Sequence, residues 1–301
     1  MELILLFFIF ALASLFGKIF DKLSSVAVSG SPKIMYTVFF IINGLTACIF
    51  FLATSGFNVA INAATAIFSL VYAVVVLLSI ITTYVAYELI SVAGVNVTAN
   101  ASSLVGLSII SFFLFNEPIV LTTVIKVVIM IVAVSFIFID SRKAEKLVNR
   151  KLKKLSFKKL VPLLLIIISI QCLNTVILKY FSISEAVTNE TSFFFFTNVV
   201  LIIAALVFLF ILTLKDRESV RSTIKILKPK TVVTMAGSTV CGNIMSIVGV
   251  WIIAKIDVSL YTALSSALGI ITGVVGSMLF RERLGLFSYL AMIFATLAII
   301  I

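Results

Sequence analysis

Amide and hydroxyl side chains recur at helical spacing inside the long apolar runs of this sequence. Thr239, Asn243 and Ser246 follow one another at steps of four and three residues, which places them on one face of a helix. Polar groups in lipid-spanning helices are costly and usually face a protein interior or a wet cavity. Similar candidates for the lining of such a cavity are Asn43, Ser79, Thr83, Tyr87, Asn96, Asn100, Ser103, Gln171, Asn174 and Asn198. Uncharged groups of this kind suit hydrogen bonding to a neutral or zwitterionic solute.

The same residues also have a purely structural interpretation. Ser, Thr and Asn in membrane helices often only hydrogen-bond a neighbouring helix, which contributes about 0.6 kcal/mol for each bond. The pair Asn43 and Asn198 favours binding more than the others do, because both close similar segments, FFIIN and FFFTN.

The composition argues against several kinds of site. The chain contains no histidine, so imidazole catalysis and histidine metal ligation are excluded. Cys48, Cys172 and Cys241 lie in separate apolar runs without CxxC spacing. No nucleophile–base pair or phosphate-binding loop is recognisable in the sequence. We therefore expect no enzyme, no metal and no cofactor.

Four charged residues are candidates for coupling or gating. Glu88 ends one apolar run and Glu190 begins another, while Lys18 and Lys126 lie within runs. All 12 acidic residues lie at the ends of runs, in turns or in loops, so the deep carboxylate of many proton-driven carriers is not found. Lys126 either extends to the membrane surface or neutralises an anionic solute.

Membrane-spanning helices must position these side chains. The 301 residues are 62% apolar with a mean hydropathy of +1.30. Apolar runs of about 20 residues, long enough to cross a bilayer, recur along the chain. The pattern predicts an all-α polytopic membrane protein with ten transmembrane spans at 3–20, 34–54, 64–88, 95–115, 119–139, 160–181, 191–213, 232–254, 258–280 and 284–301.

The two halves of the sequence resemble each other. The third to fifth spans and the eighth to tenth spans each form a closely spaced triplet. The turns LFNEP and LFRER follow the fourth and the ninth span. We interpret residues 1–140 and 160–301 as two five-helix repeats joined by a basic linker, residues 141–159. Because five is odd, the second repeat must be inverted in the membrane relative to the first.

The repeated turns carry one acid in each half. Asn116 is a good N-cap for span 5, Pro118 suits its first turn, and Glu117 faces the positive end of the helix dipole. Glu282 can do the same for span 10. These turns therefore predict helix caps, with a gating or substrate role as the alternative.

Small residues at four-residue spacing mark places where two helices pack closely. Ser102 and Gly106 form such a pair in span 4, and Gly269 and Gly273 form one in span 9. These pairs predict close helix contacts in span 4 and in span 9.

Basic residues favour one side of the ten-span arrangement. That side receives 20 of the 23 lysines and arginines, mainly in the linker and in residues 214–231. By the positive-inside rule the basic loops are cytoplasmic and both termini lie outside. We expect the same loops to contact anionic headgroups of the cell membrane.

The helix order, the two halves and the LF-x-E turns resemble the drug/metabolite transporter superfamily, in its EamA-like branch. The resemblance covers nearly the whole chain and implies alternating access around a site between inverted repeats. It also implies export of amino acids or related metabolites. Many ten-helix relatives have basic N-termini and basic 2–3 loops, so the orientation expected here departs from the family pattern.

Other functions stay open at this point. One is uptake or exchange of a sugar or nucleotide-linked metabolite, and another is a non-transporting membrane subunit or lipid-handling protein. The expected partners are a small-molecule solute and lipid, without nucleic acid, and the protein is expected to be a monomer or homodimer.

The orientation can be tested with single cysteines and a membrane-impermeant thiol reagent. We expect Asn58→Cys, in loop 2–3, to be labelled in intact cells and Ser222→Cys, in loop 7–8, to be labelled only after permeabilisation. The native sequence supplies the background from its own cysteines. Labelling of both variants from the same side would contradict the inverted arrangement.

Overall fold

The computed structural model describes residues 2–25, 32–89, 107, 110–116, 121–147, 157–184, 189–226, 228–279 and 285–301. Within these ranges the secondary structure is helical and no strand occurs. The described helices are α1 (Glu2–Ser25), α2 (Pro32–Thr54), α3 (Ala63–Leu89), α4 (Leu121–Leu147), α5 (Phe157–Ile183), α6 (Glu190–Lys215), α7 (Arg217–Ile226), α8 (Pro229–Lys255), α9 (Val258–Leu279) and α10 (Leu286–Ile300). Residues 110–115, in predicted span 4, are also helical.

Five described segments are long and apolar enough to cross a membrane: Glu2–Phe20, Thr37–Thr54, Leu165–Ile183, Glu190–Lys215 and Pro229–Lys255. Large apolar side chains such as Ile4, Phe8 and Ile203 are exposed, as expected where lipid covers a surface. The predicted all-α class is therefore confirmed, and the fold is compatible with a membrane protein. Ten spans and an inverted repeat stay predictions.

The chain forms two compact units, each built from two separate stretches. The first unit consists of Met1–Val74 and Ile183–Trp251, and the second unit of Val75–Ser182 and Ile252–Ile301. Each unit therefore contains parts of both sequence halves.

Aromatic rings hold the first unit together where α2, α3 and α6 meet. Phe51 of α2 stacks on Phe194 of α6 with ring centroids 5.5 Å apart, and Tyr72 of α3 lies 5.2 Å from Phe193. Phe51 and Phe193 are fully shielded. Such ring pairs contribute about 0.5–1.5 kcal/mol beyond the burial of their area.

Hydrogen bonds fix the same end of the first unit. Ser69 Oγ donates to the carbonyl of Phe193 at 3.0 Å, and the backbone N–H of Ala60 donates to Ser192 Oγ at 3.2 Å. Asn189 is the N-cap of α6, because its Oδ1 accepts the Ser192 N–H at 2.7 Å. These bonds tie the start of α6 to α3 and to the segment before it.

Small side chains form the core of the second unit. α4 packs along α10, and α9 contacts both. The buried cluster combines Val127, Met130 and Ala133 of α4 with alanines of α9 and α10. Alanine leaves the helix surfaces smooth, so the helices approach closely without long side chains between them.

Among the described helices, the two pairs with the most extensive contact join elements that the sequence repeat matches. α2 corresponds to predicted span 2 and packs along α6, which corresponds to span 7, while α4 and α10 correspond to spans 5 and 10. Contact between equivalent elements is the arrangement that a two-fold relation between repeats produces at its axis.

Gly44 of α2 lies in tight contact with α6. A Cβ placed there would overlap Ile202 Cγ1 and lie 3.1 Å from its Cδ1 and 3.7 Å from the carbonyl oxygen of Asn198. At Gly242 in α8, by contrast, a Cβ would meet no described atom within 4 Å. A residue larger than glycine at position 44 would therefore have to displace the Ile202 side chain.

We expect Gly44→Ala to lower the free energy of unfolding by about 1–2 kcal/mol, because the overlap outweighs the better helix propensity of alanine. Gly242→Ala, the matched control, should be neutral or slightly stabilising. Denaturant titration in detergent measures both changes. Adding Ile202→Ala to Gly44→Ala should recover part of the loss, and equal effects of the two glycine substitutions would contradict the close contact.

Candidate functional site

A hydrogen bond between two helices brings predicted lining residues together in the first unit. Thr239 Oγ1 of α8 lies 2.6 Å from Asn43 Oδ1 of α2 and 3.0 Å from the carbonyl of Met235. The hydroxyl has one proton, which serves one of these acceptors at a time. Asn43 and Thr239, which are 196 residues apart, therefore form a polar contact across two apolar helices.

Asn198 lies where α2 and α6 approach, but its amide is directed along its own helix. Its Nδ2 donates to the carbonyl of Phe194 at 2.8 Å. In α2, Gly44 directly follows Asn43. A Cβ at Gly44 would lie 3.7 Å from the carbonyl oxygen of Asn198. Asn43 and Asn198 thus share one helix crossing, although no bond between their amides is observed.

Asn243 has the most informative amide of this group. Its side chain is only 9% exposed, and its amide nitrogen has no hydrogen-bond partner among the described residues. It lies one turn beyond Thr239 on the same face of α8. Ser246, further along this face, donates to the carbonyl of Gly242 at 3.0 Å. Leaving a buried donor unpaired costs about 1–3 kcal/mol, so this nitrogen is disposed to bind an acceptor.

A second polar group lies in the second unit. Gln171 Nε2 of α5 donates to Ser79 Oγ of α3 at 3.4 Å, a long hydrogen bond. The Oδ1 of Asn174 is buried without a hydrogen-bond partner in the described part of the chain. Thr175 donates to the carbonyl of Gln171 on its own helix at 3.2 Å.

Lys179 has a structural position at the end of a neighbouring helix. Its Nζ donates to the carbonyls of Ile253 at 2.8 Å and Ile256 at 3.1 Å, where α8 ends. The last carbonyls of a helix lack partners within the helix and attract a cation. Lys179 therefore caps α8.

The remaining charged candidates are only partly placed. Lys18 in α1 and Lys126 in α4 are half-buried. Glu190 is in the first turn of α6, directly after the N-cap, where a carboxylate favours the helix dipole. Glu88 belongs to α3, but its side chain lies outside the described residues, so its coupling role stays a prediction.

Several predicted residues cannot be assigned a position in either site. The side chains of Thr83 and Tyr87 lie outside the described residues, as do Asn96, Asn100, Ser102, Ser103, Gly106, Glu117, Pro118 and Glu282. Asn116 has φ of 52°, the left-handed conformation in which asparagine often ends a helix, and here it follows helical residues 110–115. Whether it also caps the next helix stays a prediction.

The close packing predicted at Gly269 and Gly273 can be examined at Gly269 alone. A Cβ at Gly269 would meet no atom of the described residues within 4 Å. The surroundings of Gly273 lie outside the description. The tight glycine contact that sequence reasoning missed is at Gly44.

Comparisons with known proteins identify a similar fold but no family for this chain. No family model matches the chain, and no curated protein matches it. One similar solved structure, described only as the crystal structure of a protein, is 14% identical. The similarity covers 97% of this chain and 96% of that chain with a TM-score of 0.60. The fold is therefore shared over nearly the whole length, while the resemblance to drug/metabolite transporters stays a prediction.

We expect Lys179→Met to lower the free energy of unfolding by about 1–2 kcal/mol, because two carbonyls at the end of α8 lose a charged donor. Lys126→Met is the matched control: Lys126 is also half-buried but bonds no described residue. Its effect should stay within about 0.5 kcal/mol. Denaturant titration in detergent compares the two, and a larger loss for Lys126→Met would contradict the capping role.

Proposed function

We propose that the protein is a secondary transporter that moves a small neutral or zwitterionic metabolite across the membrane by alternating access. Amino acids and related compounds are the favoured substrates, and export is the favoured direction. The observation that carries this proposal is the buried amide nitrogen of Asn243, which has no partner among the described residues and lies one turn from the Asn43–Thr239 contact.

The chemistry of the polar group in the first unit supports a substrate without net charge. Asn43, Asn198, Thr239 and Asn243 offer amides and a hydroxyl, which donate and accept hydrogen bonds. Such groups can hold the carboxylate and ammonium of a zwitterion without placing a full opposite charge in the lipid-spanning region. A solute oxygen that accepts from Asn243 would also remove the penalty of its unpaired donor.

The position of Lys179 weighs against the alternative of a phosphate-bearing substrate. Phosphate recognition usually relies on paired lysine or arginine side chains. The predicted spans contain three lysines, Lys18, Lys126 and Lys179. The ammonium of Lys179 is bound to the end of α8.

The pairing of helices supports transport by related halves. α2 packs along α6 in the first unit and α4 along α10 in the second unit, so each pair joins elements that the proposed repeat makes equivalent. In transporters built from repeats, substrate sites lie at the interface between the repeats and the two access states arise by rocking. Asn43 and Asn198, at the α2–α6 crossing, would occupy this place.

Proteoliposomes loaded with a mixture of amino acids, sugars and sugar phosphates provide the test. Mass spectrometry of the external solution identifies the compounds that leave faster than from protein-free vesicles. We expect neutral amino acids to leave first. Exit of sugar phosphates alone would favour the phosphate alternative, and no specific exit of any compound, with folded protein, would favour a non-transporting membrane subunit.

The variant Asn243→Leu separates binding from stability. Because it removes an unpaired buried donor, the free energy of unfolding should rise by about 1 kcal/mol while flux falls by about tenfold. The control Thr262→Val changes a buried hydroxyl that is bonded to its own helix at 2.8 Å and should leave flux unchanged. Loss of flux together with loss of stability in Asn243→Leu would contradict a substrate-binding role.

A further inference from the structure

A cavity of about 400 Å³ opens beside the short helix α7, at the cytoplasmic end that the charge distribution predicts for α6. One part of its lining is basic, from Arg217, Arg221 and Lys225. Another part is apolar, from Leu209, Val220 and Ile224. We call this cavity the α7 groove.

The three basic residues form one stripe on α7. They are four residues apart, so they lie on the same side of the helix with about 6 Å of rise between neighbours. All three are exposed, and none forms an ion pair with a described residue. Glu218, the one acid in α7, does not line the groove. The groove therefore presents three basic side chains on one stripe, none of them in an ion pair with a described residue.

The stripe is held in place by Val220, an apolar residue of α7 that lines the groove beside it. Val220 is 5% exposed and packs in a cluster with Ile34 and Val38 of α2. Asp216 caps the helix, since its Oδ1 accepts the backbone N–H of Ser219 at 3.0 Å. α7 is thus a packed element, and its basic face has a fixed direction within the first unit.

The apolar side of the groove includes a residue of α6, a helix that carries exposed apolar side chains. Leu209 belongs to α6, and the adjacent Phe210 and Ile211 on this helix are exposed. A soluble anion would use only the basic stripe, and a neutral lipid would use only the apolar side. An anionic phospholipid matches both, because a phosphate is joined to acyl chains.

We propose that the α7 groove binds one anionic phospholipid. Its phosphate is held by Arg217, Arg221 and Lys225, with the arginines able to donate two hydrogen bonds each. Its acyl chain lies along Leu209 and Ile224. This lipid site is separate from the polar group around Asn243 and does not depend on the proposed transport function.

Binding is tested with the full chain purified in a neutral detergent at 0.15 M salt. The probe is a short-chain phosphatidylglycerol with a fluorophore on its acyl chain, and fluorescence anisotropy reports its binding. Unlabelled phosphatidylglycerol should displace the probe. Phosphatidylcholine and inorganic phosphate at the same concentration should not, because each lacks one of the two features that the groove recognises.

A matched pair of variants distinguishes the groove from general surface charge. Arg217→Gln/Arg221→Gln/Lys225→Gln should weaken probe binding by about tenfold or more. Lys215→Gln/Lys228→Gln/Lys230→Gln removes the same charge from exposed positions outside the groove and should weaken it by less than about threefold at this salt concentration. Denaturant titration confirms that both variants are folded.

The opposite results would overturn the proposal. Equal weakening by the two triple variants would show diffuse attraction without a site, and displacement by inorganic phosphate would show a site for a free anion. Absence of probe binding to the native chain would also refute it. Ile224→Asn, which keeps every charge, should weaken lipid binding, and an unchanged affinity would remove the acyl-chain contact from the proposal.

Discussion

A polar side chain within an apolar helix must find its hydrogen-bond partner in the protein, because lipid provides none. Most hydroxyls of the described helices meet this constraint locally: Thr46, Thr197 and Thr262 each donate to the carbonyl four residues earlier at 2.8 Å. Amides have more groups to satisfy and cannot all do so on one helix. Asn43 therefore meets Thr239 of another helix, while the amide nitrogen of Asn243 finds no partner in the part of the chain that the structure describes. The architecture of the first unit and the proposed function both depend on this difference.

Helix positions could be predicted from the sequence because hydropathy alone sets them. The predicted span 64–88 corresponds to α3 (Ala63–Leu89), and the span 232–254 lies within α8. The polar face of Thr239, Asn243 and Ser246 was also predictable, since it needs only helical periodicity. The partner of each polar group was not predictable. A hydroxyl that bonds its own helix and one that bonds a distant helix give the same sequence pattern.

Long-range packing accounts for the other features that sequence reasoning missed. Lys179 caps carbonyls 74 and 77 residues away, so nothing in its local sequence identified them. Gly44 is unremarkable by spacing, and its role appears only when Ile202 is placed against it. α7 could have been found, because Arg217, Arg221 and Lys225 recur at four-residue steps within a segment that sequence reasoning treated as a loop. The segment is so rich in basic residues that it reads as a charged loop, although its apolar and basic residues alternate at helical spacing.

The contact between Asn43 and Thr239 has a consequence for biosynthesis, since 196 residues separate them. A ribosome that adds about 5–20 residues per second needs roughly 10–40 s to make the intervening chain. Until that interval ends α2 exists without the part of α8 that carries Thr239, and its asparagine lacks the threonine hydroxyl. The nascent chain therefore passes through a stage in which an exposed amide must be shielded by the insertion machinery or by water until the later helices arrive.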